Sequence, residues 1–535
     1  MVGNVAELLR QAAREHGDRR ALVVPALGRE LTWTDLDAAV DAMVAGLCVR
    51  VPRGARVALV FGNSVEFVTA YFAVLRAGLV AVPVNNGYTE PEIRRVLADS
   101  RAELVLAEAT AAETARAAAQ ALGGAGPEVV EVGSDEWLDL EKAPQARQGS
   151  LAGQGPETGQ APGMGQRSET GQGPESADVQ SEALAVLAYT SGTSGAPKGA
   201  MLSHRALLAS IEATLALDPA PVEPDDVVLL MLPLFHLYAL NGVLGPLAAT
   251  GAAGVLAERF DPAPALALIE QQGVTTVPGA PAMYAAWATR SDLKHALATV
   301  RLLISGSAPL PPAVLEQVQT ATGLTVYEGY GLTETAPAAT STLASARVKP
   351  GSIGQPVPGV ALRLVDETGE QVAEGDPGEI QVRGANLFSG YWPDGSGGPG
   401  PDGWWSTGDV AYADEDGDLF LVDRRKELIL VSGFNVYPRE VEDALLTHPD
   451  IAEAAVVAVP HPITGEAVKA FVMARPGAML TTEQVIAHCQ PRLARFKRPT
   501  IVVIAPELPH LVIGKVDKGR LRAAASGEPV GEETA

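Results

Sequence analysis

Over residues 55–108 the chain alternates apolar runs of strand length with stretches of helical spacing, and this rhythm restricts the fold more than any other feature. ARVALVF (55–61) is a strand-length run, SVEFVTAYFAVLRAG (64–78) carries apolar residues at helical intervals and ends in Gly, and LVAVPVN (79–85) is strand-like again. TEPEIRRVLADS (89–100) opens on a capping box, Thr89 with Glu92, with Pro91 in the first turn, and AELVLAE follows as the next strand. Such alternation predicts a mostly parallel sheet with helices on its faces, an α/β fold. It resumes over 184–420 (VVLLML, GVLAE, TTVPG, RLLIS), and 357–422 is richer in strands and turns, which predicts a small β subdomain. A helix–strand–strand–helix–strand series then runs to the end (PREVEDALLTH, AAVVAVP, KAFVMAR, TTEQVIAHCQPRLA, IVVIA), an α+β unit of its own. The expected division is 1–422 for a large N-terminal domain and 423–535 for a small C-terminal one, as 535 residues exceed one ordinary core.

Residues 143–180 break the rhythm, being rich in Gly, Gln, Pro, Ser and Glu with GQGPE twice, and are expected to be a disordered insertion, as is the tail 524–535. The formal net charge of −24 argues against nucleic acid or an anionic membrane surface as partner. Two cysteines, Cys48 and Cys489, in no metal-like spacing, and an N-terminus without an apolar signal-peptide core fit a cytoplasmic protein. Residues 227–257 contain no Asp, Glu, Lys or Arg, but Pro233, Asn241, Pro246 and several glycines interrupt them. They read as strand, loop, short buried helix and strand, not as a membrane span.

YTSGTSGAPKGAML (189–202) has the chemistry of a phosphate cradle. Gly192 and Gly195 let backbone N–H groups turn toward an anion, Thr190, Ser191, Thr193 and Ser194 add hydroxyl donors, and Lys198 adds a charge. It is not the GxxxxGK[ST] loop, since Pro197 precedes the lysine and Gly199 follows it. No GxGxxG follows a strand, and GxSxG, HExxH and CxxC are absent. From this loop alone, a polar surface turn remains an equal reading.

Three further stretches, in order, are YEGYGLTET (327–335), WWSTGDVAYADEDGDLFLVDRRKELILVSG (404–433) and LVIGKVDKGRLR (511–522). With the phosphate segment they resemble the adenylate-forming superfamily over nearly the whole chain, the acyl-CoA synthetase branch in particular, with similarity to 4-coumarate–CoA ligases. The resemblance implies a two-step reaction: a carboxylate attacks the α-phosphorus of ATP to give acyl-AMP and pyrophosphate, then a thiol displaces AMP. It implies ATP and coenzyme A as cosubstrates and Mg²⁺ as metal. Thr190 to Lys198 would hold the β- and γ-phosphates, with Thr190 also counted in the catalytic set. Glu334 would hold Mg²⁺, Thr333 a phosphate, and Tyr330, within Glu328-Gly329-Tyr330-Gly331, would stack on adenine. Gly306, Ser307 and Ala308 would line the nucleotide and acyl pockets. Asp409 would accept bonds from the ribose hydroxyls, with Arg424 as a second ribose or phosphate contact. Lys515 would neutralise charge between carboxylate and α-phosphate, although the HLVIGK around it is more apolar than the family's usual TxxGK-like run. Lys426 would be the hinge of a mobile C-terminal domain, and Gly433 would lie on the strand that swings in for the second step.

His236, in PLFHLYALNGVLG, would sit at the carboxylate end of the acyl pocket, with Tyr238, Asn241, Pro281, Met283 and Tyr284 as candidate walls beside Gly306 and Gly331. VPGAPAMYAAWA carries no charge to pair with a second carboxylate, which favours an apolar, fatty monocarboxylic acid. The alternatives are an aryl-acid CoA ligase and a stand-alone acyl-AMP ligase serving a carrier protein; a luciferase-like oxidation or a non-catalytic scaffold fits less well. A monomer and a homodimer are equally open.

Overall fold

The computed structural model describes residues 3–142, 181–190, 198–424, 427, 429–431, 434–461, 465–510 and 516–526. The insertion at 143–180, Ser191 to Gly195, Lys426, Gly433 and Lys515 lie outside the described residues, as does the side chain of Arg424.

The alternation over 55–108 becomes a six-stranded sheet. Its order in space is Glu128–Glu131, Leu104–Ala107, Arg56–Phe61, Val80–Asn85, Leu184–Thr190 and Lys198–Ser203. All neighbours run parallel except the last pair, an antiparallel hairpin. Helix Glu90–Ser100 begins where the capping box predicts, the Thr89 amide donating to Glu92 Oε2 at 2.8 Å. After Arg56, strand Arg56–Phe61 is apolar and buried to its end because both its faces are covered, as parallel sheets require.

A second sheet has a parallel centre: Val227–Leu230, Ala253–Leu256, Thr276–Gly279, Leu302–Ser305 and Val326–Tyr330. It continues through Thr340–Ser341 and Ser352–Pro356 into the antiparallel strands Val360–Val365, Gly378–Gly384, Trp405–Ala413 and Leu419–Arg424. The strand-rich 357–422 stretch is therefore hydrogen-bonded into the large sheet. The uncharged 227–257 stretch holds two short helices where one was expected, Leu237–Gly242 and Leu244–Thr250, because the Val243 backbone leaves helical geometry between them. Among the described residues no helix is long and apolar enough to cross a membrane.

Strands Ile429–Val431, Phe434–Val436, Ile451–His461, Gly465–Ala474 and Ile501–Ala505 form the C-terminal sheet. With helices Pro438–Leu446 and Thr482–Cys489 it encloses a core of its own, including Val441, Leu445, Val468 and Val485. Cys48 is exposed, Cys489 is buried in that core, and both are free.

Candidate active site

A cavity of about 890 Å³ opens at the carboxyl ends of parallel strands from both N-terminal sheets, where α/β folds place their ligands. Strand Leu184–Thr190 delivers Thr190, Leu302–Ser305 leads into Gly306 and Ser307, and Val326–Tyr330 ends on Gly329 and Tyr330. His510, Asp517 and Arg520 reach the cavity from the C-terminal region, on either side of Lys515.

One end of the cavity is polar. Thr190 and Lys198 are cross-strand partners at the end of the antiparallel pair Leu184–Thr190 and Lys198–Ser203. The hairpin is tied down by Tyr189, whose hydroxyl donates to Asp99 Oδ2 at 2.6 Å. Burial and the Asp99 charge push the Tyr189 phenol well above its ordinary range, so it stays a donor. Lys198 Nζ lies 5.1 Å from the ring centroid of Tyr391, within reach of a cation–π contact.

Thr333 and Glu334 also line this end. Glu334 is buried; its backbone oxygen accepts from Phe388 N at 2.9 Å, and its Oε1 accepts from the Tyr391 hydroxyl at 2.6 Å. Gly331 is required here by close approach: a Cβ would fall 1.6 Å from the Pro337 carbonyl oxygen. The Tyr330 hydroxyl donates to Asp409 Oδ2 at 2.6 Å. Asp409 is buried behind Thr407 and Gly408, which reach the cavity wall, and its strand register places it opposite Arg424.

The other end is apolar. Leu217, Ile304, Leu343 and Val357 line it and belong to one hydrophobic cluster. His236 and Tyr238 stand in the cavity wall. His236 caps helix Leu237–Gly242, its Nδ1 accepting from Tyr238 N at 3.4 Å. The Tyr238 ring lies against two glycines, since a Cβ at Gly306 or Gly242 would come within 3.1 or 3.2 Å of it. Its hydroxyl oxygen is buried without a hydrogen-bond partner among the described residues. Ser307 adopts φ 70°, a left-handed conformation that costs about 1–3 kcal/mol in a non-glycine residue and clusters at functional turns.

Other predicted residues stand elsewhere. Glu328 is buried outside the cavity lining, its Oε2 accepting from Leu310 N at 2.8 Å. Burial pushes its carboxyl up to about 7, held back by that amide and by the Arg439 charge. The Asn241 amide spans the Leu207 and Ala336 carbonyls, at 3.1 and 2.7 Å, and so braces the loop carrying Glu334. Pro281 and Met283 are buried in helix Pro281–Ala288, and the Tyr284 hydroxyl donates to the Val277 and Ile304 carbonyls. Ala308 is not among the cavity-lining residues. Residues that sequence reasoning passed over are Tyr391, Asp99 and Asn386, the last donating to the Thr335 and Ala338 carbonyls at 2.9 and 2.7 Å. The only signal for Tyr391 was an aromatic cluster, LFSGYW, with no spacing that marks a site.

Residues 9–392 match the AMP-binding enzyme family, and residues 440–515 match the AMP-binding enzyme C-terminal domain. A long-chain-fatty-acid–CoA ligase of Bacillus subtilis (strain 168) is 33% identical over 96% of this chain and 93% of its own length. 4-Coumarate–CoA ligase 5 of Oryza sativa subsp. japonica is 36% identical over 96% of this chain and 93% of its own. The crystal structure of ATP-bound MatB from Rhodopseudomonas palustris superposes with a TM-score of 0.85, at 31% identity, over 98% of this chain and 99% of that one. The chain belongs to the AMP-binding enzyme family, the adenylate-forming superfamily. Within it the chain is an AMP-forming acid–thiol ligase, with ATP and coenzyme A as cosubstrates.

Proposed function

We propose that the chain activates an apolar monocarboxylic acid, of the fatty-acid class, as acyl-AMP and passes the acyl group to the thiol of coenzyme A. The observation that carries this reading is the polarity of the cavity. Thr190, Lys198, Thr333 and Glu334 stand at one end, and the uncharged wall of Leu217, Ile304, Leu343 and Val357 at the other. The fatty-acid ligase of B. subtilis, similar over nearly its full length, supports it.

In the first half-reaction a carboxylate oxygen of the acid attacks the α-phosphorus, the bond from that phosphorus to the bridging oxygen breaks, and pyrophosphate leaves. Thr190, the 191–197 segment and Lys198 hold the departing phosphates, their hydroxyl, amide and ammonium donors offsetting the charge that leaves. Mg²⁺ suits the donors present, because a hard cation takes carboxylate and phosphate oxygens and needs few protein ligands. Glu334 would hold it, with Tyr391 engaging the other carboxylate oxygen; bound, the cation supplies charge neutralisation on the phosphates. Tyr330 stacks on adenine while Asp409, fixed by the Tyr330 hydroxyl, takes the ribose hydroxyls. Arg424 is a second nucleotide contact. His236 stands beside the acid's carboxylate, and Lys515 bridges it to the α-phosphate. In the second half-reaction the thiol sulfur attacks the acyl carbon, AMP leaves and the thiol proton is released. Rotation about Lys426 brings Gly433 to the site for that step. The reaction is assigned to the cytoplasm.

A series of short, medium, long-chain and aryl acids with ATP, Mg²⁺ and coenzyme A tests the reading. Pyrophosphate release and coenzyme A-dependent AMP release are expected to be fastest with alkyl acids; activity confined to acids carrying a second charge would overturn it. Lys515→Ala is expected to abolish adenylation yet spare thioester formation from supplied acyl-AMP, and equal loss of both steps contradicts the role of Lys515. An aryl acid bearing a phenol is the second reading, favoured by the Tyr238 hydroxyl beside the cavity, which has no partner among the described residues, and by the similar rice 4-coumarate–CoA ligase. It predicts that Tyr238→Phe lowers kcat/KM for hydroxylated aryl acids and leaves alkyl acids unchanged.

A further inference from the structure

Tyr391 touches both charged groups at the polar end of the cavity. Its hydroxyl donates to Glu334 Oε1 at 2.6 Å, and its ring centroid lies 5.1 Å from Lys198 Nζ. The segment carrying it is held by backbone hydrogen bonds alongside strand Lys198–Ser203, with Tyr391 bridged to Ala200. Ser389 N donates to the Met201 oxygen, Met201 N to the Gly390 oxygen and Trp392 N to the Gly199 oxygen, at 2.8, 3.0 and 2.8 Å. Phe388 packs edge-on against the ring at 5.1 Å between centroids, and its amide donates to the Glu334 backbone oxygen at 2.9 Å. Trp392 is fixed by its indole N–H to the Asp99 carbonyl, on the helix that also holds Tyr189. The ring is thus placed from several sides.

The consequence is geometric. A carboxylate has two oxygens and a rotatable plane, and a donor fixed on Oε1 decides which oxygen remains for a cation. The ring face gives the Lys198 ammonium a seat that requires no counter-charge, leaving its charge for phosphate.

We propose that Tyr391 is a positioning residue, which orients the Glu334 carboxylate toward the metal and seats Lys198 against the triphosphate, so that cation and lysine act in one fixed geometry. The proposal rests on the reading of Glu334 and Lys198 as metal and phosphate contacts, and the test separates the two.

Mn²⁺ is titrated in the presence of α,β-methylene-ATP with bound metal read by electron paramagnetic resonance, and binding of the same analogue is measured in EDTA. The full-length protein is used, first unmodified and then as Tyr391→Phe and Tyr391→Leu. Tyr391→Phe keeps the ring and loses only the hydroxyl. It is expected to weaken Mn²⁺ by about tenfold, the usual loss when the hydrogen-bond partner of a metal ligand is removed, with analogue affinity in EDTA unchanged. Tyr391→Leu, which also removes the seat of Lys198, is expected to lower analogue affinity in EDTA several-fold as well. Wild-type Mn²⁺ affinity in Tyr391→Phe overturns the proposal, as does an equal loss with and without metal. If the unmodified protein binds the analogue but no Mn²⁺ with it, the role of Glu334 itself falls, and the role of Tyr391 with it.

Discussion

The two ends of the cavity are built in opposite ways. The polar end comes from short contiguous segments, 189–202 and 327–335, whose side chains are pinned by hydrogen bonds to residues elsewhere in the chain: Tyr189 to Asp99, Tyr330 to Asp409, Glu334 to Tyr391. The apolar end is assembled from residues far apart in sequence, Leu217, Ile304, Leu343 and Val357, whose side chains meet in one hydrophobic cluster. Charge demands fixed geometry, because a misaimed carboxylate or lysine loses its directional bonds. An apolar wall needs only shape and the absence of charge. Substitutions at the polar end should therefore act on the chemical step, and those at the apolar end on the choice of acid.

The largest expected effect is at Glu334. Glu334→Gln keeps an acceptor for Tyr391 and removes the charge, and acid-dependent pyrophosphate release should fall by about 10²–10³, the scale of losing one fixed electrostatic contact. An unchanged rate would erase the distinction between the two ends.

Glu328 sharpens it from within one stretch. It lies six residues before Glu334 in the same motif, yet it is closed in beside Leu310 N and away from the cavity. Burial raises its carboxyl from the ordinary 4.5 to about 7, so the fold favours its neutral form. Its contribution to stability is full below pH 4.5 and is lost as pH rises through 7. Glu328→Gln should remove that loss, on the order of 3 kcal/mol across the window, making the melting temperature less pH-dependent between those limits. A variant whose melting temperature keeps the wild-type pH dependence would contradict the assignment.

A smaller effect is expected at Asn386, which bridges the Thr335 and Ala338 carbonyls under the Glu334 loop. Asn386→Ala leaves two carbonyls without that donor and should cost about 1–3 kcal/mol in denaturant unfolding. Because the loop it braces carries Glu334, KM for ATP should rise as well; a stability loss with no change in ATP kinetics would confine Asn386 to the fold.

The same contrast explains what could be read from the sequence. The β–α rhythm over 55–108 predicted the parallel sheet because strands buried on both faces are apolar without interruption, and the capping box marked one helix start to the residue. The polar end was legible because Gly, Ser, Thr and Lys in one short run carry their chemistry with them. The apolar end was not. VPGAPAMYAAWA is uncharged whether it lines a pocket or fills a core, and the fold puts Pro281 and Met283 into the core. Asn241 looked like a pocket wall, but its amide serves two backbone carbonyls. Asp414, Asp416 and Asp418 show the reverse ambiguity. Their spacing suits a cation, and Lys349 Nζ supplies it from 2.6, 2.6 and 2.9 Å, which only the tertiary fold reveals.

The most direct test of the two-ended cavity is Ile304→Trp, which fills the apolar end from the strand that leads into Gly306. Chain-length dependence of kcat/KM is measured with saturated acids, alongside KM for ATP. The longest acid accepted is expected to become shorter by several carbons while KM for ATP stays at the wild-type value. An unchanged chain-length profile, or a rise in KM for ATP with the profile intact, would contradict it.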